Sequence, residues 1–150
     1  MIIIEYQTRL VSMNVANGTQ LSMQNNALAW SNATFKIASY PPYLKGGFFI
    51  QQPIVITGKG TEISIVVTGN VKIYVAIQTF LDRSGGFEIS LPRNGWKNET
   101  GKIEIDFGLD LTRIYSKLYL TKKEKTISLP PTTTNETSTI ITVVSLSSGN

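Results

Sequence analysis

The sequence contains no cysteine and no histidine. Without Cys there is no disulfide framework, no thiolate metal site and no cysteine nucleophile. Without His, the commonest general base and the commonest metal ligand are missing as well. Together these absences weigh more heavily against an enzyme than any motif in the chain weighs for one. Charge is also scarce, at 16% of residues against roughly 25% in ordinary globular proteins. Thr, Ser, Asn and Gln take its place. Such a neutral-polar surface suits an extracellular, virion or assembly protein better than a cytosolic enzyme. No window approaches the roughly 18 apolar residues of a membrane helix. The start, "MIIIEYQTRL", lacks the basic opening, long apolar core and small-residue cleavage site of a signal peptide. Taken as complete, the chain is expected to be made in the cytosol and not to span a membrane.

What charge there is sums to +4, from 14 basic and 10 acidic residues. A nucleic-acid binder gathers such a surplus into a patch or stripe. Here Lys36, Lys45, Lys59, Lys72, Arg83, Arg93 and Lys102 are spread singly along the chain. Only "TKKEKT", with Lys122, Lys123 and Lys125, is dense, and Glu124 interrupts it. It reads as a solvated turn. No nucleic-acid partner is expected.

Period-two alternation recurs along the 150 residues, a length that fits one domain. In "NVKIYVAIQTF", Val71, Ile73, Val75 and Ile77 share one face, and Lys72, Tyr74, Ala76 and Gln78 the other. "EISIVV" precedes it, and Gly69-Asn70 between them reads as a two-residue hairpin turn. "GKIEIDF" puts Ile103, Ile105 and Phe107 inward, with Glu104 and Asp106 outward. "RIYSKLYLT" sets Ile114, Ser116, Leu118 and Leu120 against Tyr115, Lys117 and Tyr119. The breaks "YPPYLKGG", "TGKG", "DRSGG" and "PRNGWKNETG" carry Gly, Pro and Asn turn chemistry. The best helical segment is a single turn around Asp110 to Arg113. Many short strands with turn spacing predict an all-β, antiparallel, jelly-roll-like sandwich.

Few residues offer chemistry. Glu104, Asp106 and Asp110 form the best carboxylate group, but a calcium site needs six to eight oxygens. They read as the wet face of a strand, so no metal or cofactor is expected. "ITGKGTE" lacks the spacing of a phosphate loop. Trp96, in a Gly/Asn-rich loop, either caps the sandwich or offers a stacking platform to a sugar or partner, with Tyr40 and Tyr43 beside it. Four Asn-x-Ser/Thr sequons begin at Asn17, Asn32, Asn98 and Asn135, and use of one would make this a glycoprotein.

The C-terminal segment divides the chain into a sandwich over 1–129, a Pro/Thr spacer over 130–136 and a terminal strand over 137–150. In "TSTIITVVSLSS", Ile140, Ile141, Val143, Val144 and Leu146 make an apolar strand that needs a sheet edge. Three outcomes fit: the domain's own sheet, the edge of a neighbouring subunit, or a disordered or cleaved tail. An apolar start, "MIIIEY", gives the chain a second strand-like end.

The Cys-free, Thr/Ile/Asn-rich strands, the sequons and the tail "TSTIITVVSLSSGN" resemble structural proteins of virions and surface filaments, particularly those of archaea and their viruses. These are built on jelly-roll or immunoglobulin-like sandwiches. The resemblance implies a capsid, cement, spike or filament subunit at a virion or cell surface, and it assigns no functional residues. The expectation is a non-enzymatic, self-assembling protein partnered by its own copies or other structural subunits. The alternatives are a carbohydrate-binding module with a glycan at the Trp96 loop, and an enzyme working through carboxylates alone.

Overall fold

The structure is a computed structural model that describes residues 9–14, 19–53, 63–78, 86–129 and 140–145. It is an all-β antiparallel sandwich. Strands β1 (Arg9–Asn14), β2 (Thr19–Ser22), β4 (Phe48–Gln51), β5 (Ile63–Ile77), β6 (Lys97–Glu99), β9 (Arg113–Leu129) and β10 (Ile140–Ser145) form a seven-stranded sheet. Its order is β2-β4-β10-β5-β9-β6, with β1 also paired to β5. A second sheet joins β3 (Ile37–Ser39), β7 (Ile103–Ile105) and β8 (Leu109–Leu111). Every pairing between these strands is antiparallel. A short helix, α1 (Gly86–Arg93), precedes β6.

The large sheet is apolar on both faces, which explains the density of Val and Ile in β5. Val71, Ile73, Val75 and Ile77 pack with Tyr115, Ile127 and Ile141 beneath Leu91 of α1 and Trp96. Tyr74 and Ala76, on the opposite face, join Phe49 and Ile114 in a core with Ile37, Ile103, Ile105 and Leu111 of the small sheet. A fully buried Val or Ile contributes about 1.5–3 kcal/mol relative to exposure. The crossing of β5 by both cores is therefore the most stabilised part of the fold.

Four local expectations are corrected. Gly69-Asn70 is not a hairpin turn: β5 runs straight through it, and the pair sits at a register irregularity between Val67 and Gly69 against β9. Pairing with β9 on both sides of the irregularity outweighs the local turn preference, and the extra residues lie in β9, where Val67 to Gly69 spans Lys125 to Thr121. "TKKEKT" is likewise strand, inside β9. Among the described residues no strand covers that side of β9 beyond Ser116, and Lys123 and Lys125 are exposed. Lysines on an open edge discourage pairing with another chain. Asp110 to Arg113 is extended rather than helical, spanning the end of β8 and the start of β9. Phe107 does not point inward: the chain leaves β7 into a 3₁₀ turn (Asp106–Gly108), and Phe107 sits there at φ 66° and 81% exposed.

Candidate functional site

The segment expected to drive assembly lies inside the large sheet. β10 is hydrogen-bonded on one side to β5, with Ile140 opposite Ala76 and Ser145 opposite Val71. On its other side it pairs with β4, Thr142 opposite Phe49 and Val143 opposite Phe48. Ile141 is buried in the core against α1, and Val144 stands opposite Lys72. Leu146 lies outside the described residues. β10 therefore fills a slot between two walls of the same chain. β1 runs along the same side of β5, opposite Ser64 to Thr68. The two terminal strands thus lie end to end against one strand.

The aromatic loop surface takes a different form from the one the sequence offered. Trp96 is only 6% exposed, packed among Leu91, Tyr115 and Ile73. Its backbone N–H donates to the Leu91 carbonyl at 3.0 Å. The turn that seats it uses Gly95 at φ 87°, a conformation that costs glycine little. Trp96 is a plug between helix and sheet and cannot stack on a ligand.

Tyr40 and Tyr43 instead line an open cleft of about 480 Å³, facing Thr100, Lys102 and Glu104. The Tyr43 hydroxyl donates to the Thr100 carbonyl at 2.7 Å, and its ring stacks on Tyr74 with centroids 5.1 Å apart. Burial, the Glu99 carboxylate and Tyr74 together push the Tyr43 hydroxyl pKa up to about 12. The Tyr40 hydroxyl donates to the Met23 carbonyl at 3.2 Å. Both loops meet where Gly101, at φ 110°, passes under Pro41, leaving 2.8 Å between a Cβ there and the proline ring. Only glycine allows that approach. Lys102 is paired with Asp110 at 3.1 Å, Glu104 is exposed, and Asp106 accepts the Lys36 backbone N–H at 2.7 Å. Asp106 and Asp110 are thus tied to separate partners, and among the described residues no three acidic groups converge on one point.

A polar cluster that the sequence did not single out borders this cleft. The Ser116 hydroxyl donates to Glu99 Oε1 at 2.6 Å, and Lys72 Nζ lies 3.3 Å from the same oxygen and 5.3 Å from the Tyr74 ring centre. The Ser116 hydrogen bond, then Lys72, hold the Glu99 carboxyl below its ordinary value of 4.5 despite burial. A folded pKa below the unfolded one stabilises the fold above the unfolded value and is lost as pH falls through the folded value. Wild type should therefore lose more stability between about pH 6 and about pH 3 than Glu99→Gln does. Urea midpoints of both proteins at the two pH values check this.

Of the sequons, Asn98 is exposed on β6 and Asn32 is exposed in the turn before β3. Asn17 and Asn135 lie outside the described residues. Among the described residues no helix is long and apolar enough to cross a membrane.

No protein-family model and no curated protein matches the chain. A solved β-glucuronidase from glycoside hydrolase family 2 resembles it in structure, with a TM-score of 0.62 at 10% identity. That likeness covers 87% of this chain and 14% of the glucuronidase chain. The chain spans about one seventh of the length of that enzyme, and the likeness is one of fold.

Proposed function

We propose that this chain is a structural subunit without enzymatic activity, which joins its own copies or other structural subunits through sheet edges and its C-terminal strand. A virion layer (capsid, cement or spike) or a surface filament is the setting it suits. The observation that carries this reading is the position of β10. A C-terminal segment fills an interior slot of the main sheet, beside the other terminal strand. Such strands supply main-chain hydrogen bonds on both sides and can be shared between subunits. The lysine-bearing edge of β9 supports the same reading, since it discourages random pairing and leaves the termini as the ordered route. Light scattering behind size exclusion is the test. The full chain should form oligomers whose share grows with concentration, and a monomer at every concentration would overturn the proposal.

The Tyr40–Tyr43 cleft favours a second reading, a site for a neutral saccharide. Tyrosine and proline give an apolar wall, while Lys102 and Glu104 place opposite charges at its rim. Calorimetric titration with neutral oligosaccharides should then show binding that Glu104→Ala weakens at least about tenfold, at an unchanged melting temperature. The absence of binding to any of them would end this reading.

A further inference from the structure

Phe107 combines two local costs. It sits at φ 66° in the turn Asp106–Gly108 and is 81% exposed. A left-handed backbone is unfavourable for a side chain with a Cβ, and a phenylalanine in water forgoes its burial. Among the described residues one other non-glycine has positive φ, Asn26, and asparagine adopts that region far more readily. The other exposed large apolar side chains, Leu28, Phe48 and Leu118, are 39–50% exposed, so Phe107 stands apart on both counts. The turn beneath it is fixed. The Lys36 N–H donates to Asp106 Oδ1 at 2.7 Å, and the Asp106 N–H donates to the Lys36 carbonyl at 2.9 Å. The Phe107 ring meets the Phe35 ring edge-on, with centroids 5.8 Å apart. The ring is thus a held knob, and a strained residue kept in place by its surroundings points to a role outside the fold.

The same two strands carry a recess at their opposite end. β3 and β7 are antiparallel, with Ile37 opposite Ile105 and Ser39 opposite Glu104. Lys36 before β3 and Phe107 after β7 therefore mark one end. Tyr40–Tyr43 after β3 and Gly101–Lys102 before β7 mark the other, where the cleft lies. Phe107 does not line that cleft. A cavity of about 150 Å³ holds a benzene ring, so a cleft of about 480 Å³ has room for a phenyl ring and part of its turn. Its walls, Tyr40, Pro42 and Tyr43, suit an aromatic edge. Charge agrees with this. Lys36 is exposed beside the knob and Glu104 is exposed at the cleft rim, whereas the other rim charge, Lys102, is engaged by Asp110 at 3.1 Å.

We infer that Phe107 of one copy seats in the Tyr40–Tyr43 cleft of the next, joining copies head to tail. This rests on the assembly reading above and gives it a contact of its own. A second copy is the occupant that fits, because every chain carries both knob and recess, and Lys36 of one copy approaches Glu104 of the other across the joint. Knob and recess at opposite ends make the contact heterologous. Each pairing leaves one of each unfilled, so copies add into rings or filaments rather than stopping at a symmetric dimer. An aromatic anchor in a central pocket carries much of the affinity of such a contact.

The test is sedimentation velocity on the full chain over a range of concentrations. Phe107→Asn should weaken self-association at least about thirtyfold. Its melting temperature should be unchanged or higher, since asparagine suits the turn. Thr100→Trp, an exposed substitution on the cleft wall, should weaken association as well by filling the recess. Mixed in equal amounts, the two variants should form a one-to-one pair and nothing larger, because the first keeps its cleft and the second its Phe107. Suppose wild type associates, but Phe107→Asn associates equally well or the mixture of folded variants yields no pair. The head-to-tail contact is then overturned, while assembly through other surfaces stands. If wild type is monomeric at every concentration, both fail, and a neutral oligosaccharide bound at the Tyr40–Tyr43 cleft would be its occupant instead.

Discussion

Trp96→Ala is expected to destabilise the fold by about 3–5 kcal/mol, the range for removing a buried tryptophan. The ring sits where α1, β6 and the large sheet meet, among Leu91, Ile73 and Tyr115. α1 is eight residues long, contains Pro92 and carries one basic residue, Arg93, in its last turn. Its C-terminus is secured by Asn94, whose side chain donates to the Ser90 carbonyl at 2.7 Å, and by the Trp96 N–H on Leu91. Removing the indole leaves a void between the short helix and the sheet. For a domain of this size each kcal/mol shifts the melting temperature by about 2–4 °C, so the fall should be about 6–20 °C. Guanidinium titration followed through Trp30 measures it directly, because Trp30 becomes the sole tryptophan. A loss below about 1 kcal/mol would show that the indole does not bridge helix and sheet.

The second large effect is a contrast between neighbours on one strand. Phe49 is 0% exposed and Phe48 is 42% exposed, although both are phenylalanines of β4 in register with β10. Strand side chains alternate between faces. Phe49 faces the core under the small sheet, with Trp30 and Ile37, whereas Phe48 meets solvent. Phe49→Ala should lower stability by about 3–5 kcal/mol, and Phe48→Ala by about 0.5 kcal/mol or less. Urea midpoints of the two variants decide it. Equal effects would mean that β4 pairs one residue out of the register described, since a one-residue slip reverses the faces.

Much of the architecture was legible because alternation records which strand faces are buried. The Val71, Ile73, Val75 and Ile77 face of β5 and the Ile103–Ile105 pair of β7 follow directly from it, whereas the burial of Tyr74 and Ala76 on the other face does not. The reading failed where pairing between distant strands outweighed local chemistry. Gly69-Asn70 is a sound turn signal, yet β9 pairs with β5 on both sides of the irregularity there and keeps β5 whole. The lysines of "TKKEKT" look like a turn until β9 is seen to lack, among the described residues, a neighbour on that side. Helix α1 was invisible because "GFEISLPR" combines glycine, a β-branched residue and proline, and tertiary contacts hold it helical. The cleft was half legible. Tyr40 and Tyr43 stood out in sequence, but Thr100 lies 57 positions from Tyr43 and is brought there by the sheet. Trp96 takes the capping role among its two sequence readings, a loop residue that the fold turns into core.

The register that places Thr142 beside Phe49 has a consequence for how the protein acquires its structure. These partners are separated by about 90 residues, and such distant pairings are slow to form because loop closure precedes any reward. β5 and β9 can meet early, while the gap beside them waits for a segment from far along the chain. During that wait the gap is open to whichever matching segment arrives first. The protein concentration at the moment of refolding, rather than at the moment of measurement, should then set the proportion of species obtained. Rapid dilution and slow dialysis of one denatured stock would leave different populations that interconvert only through unfolding.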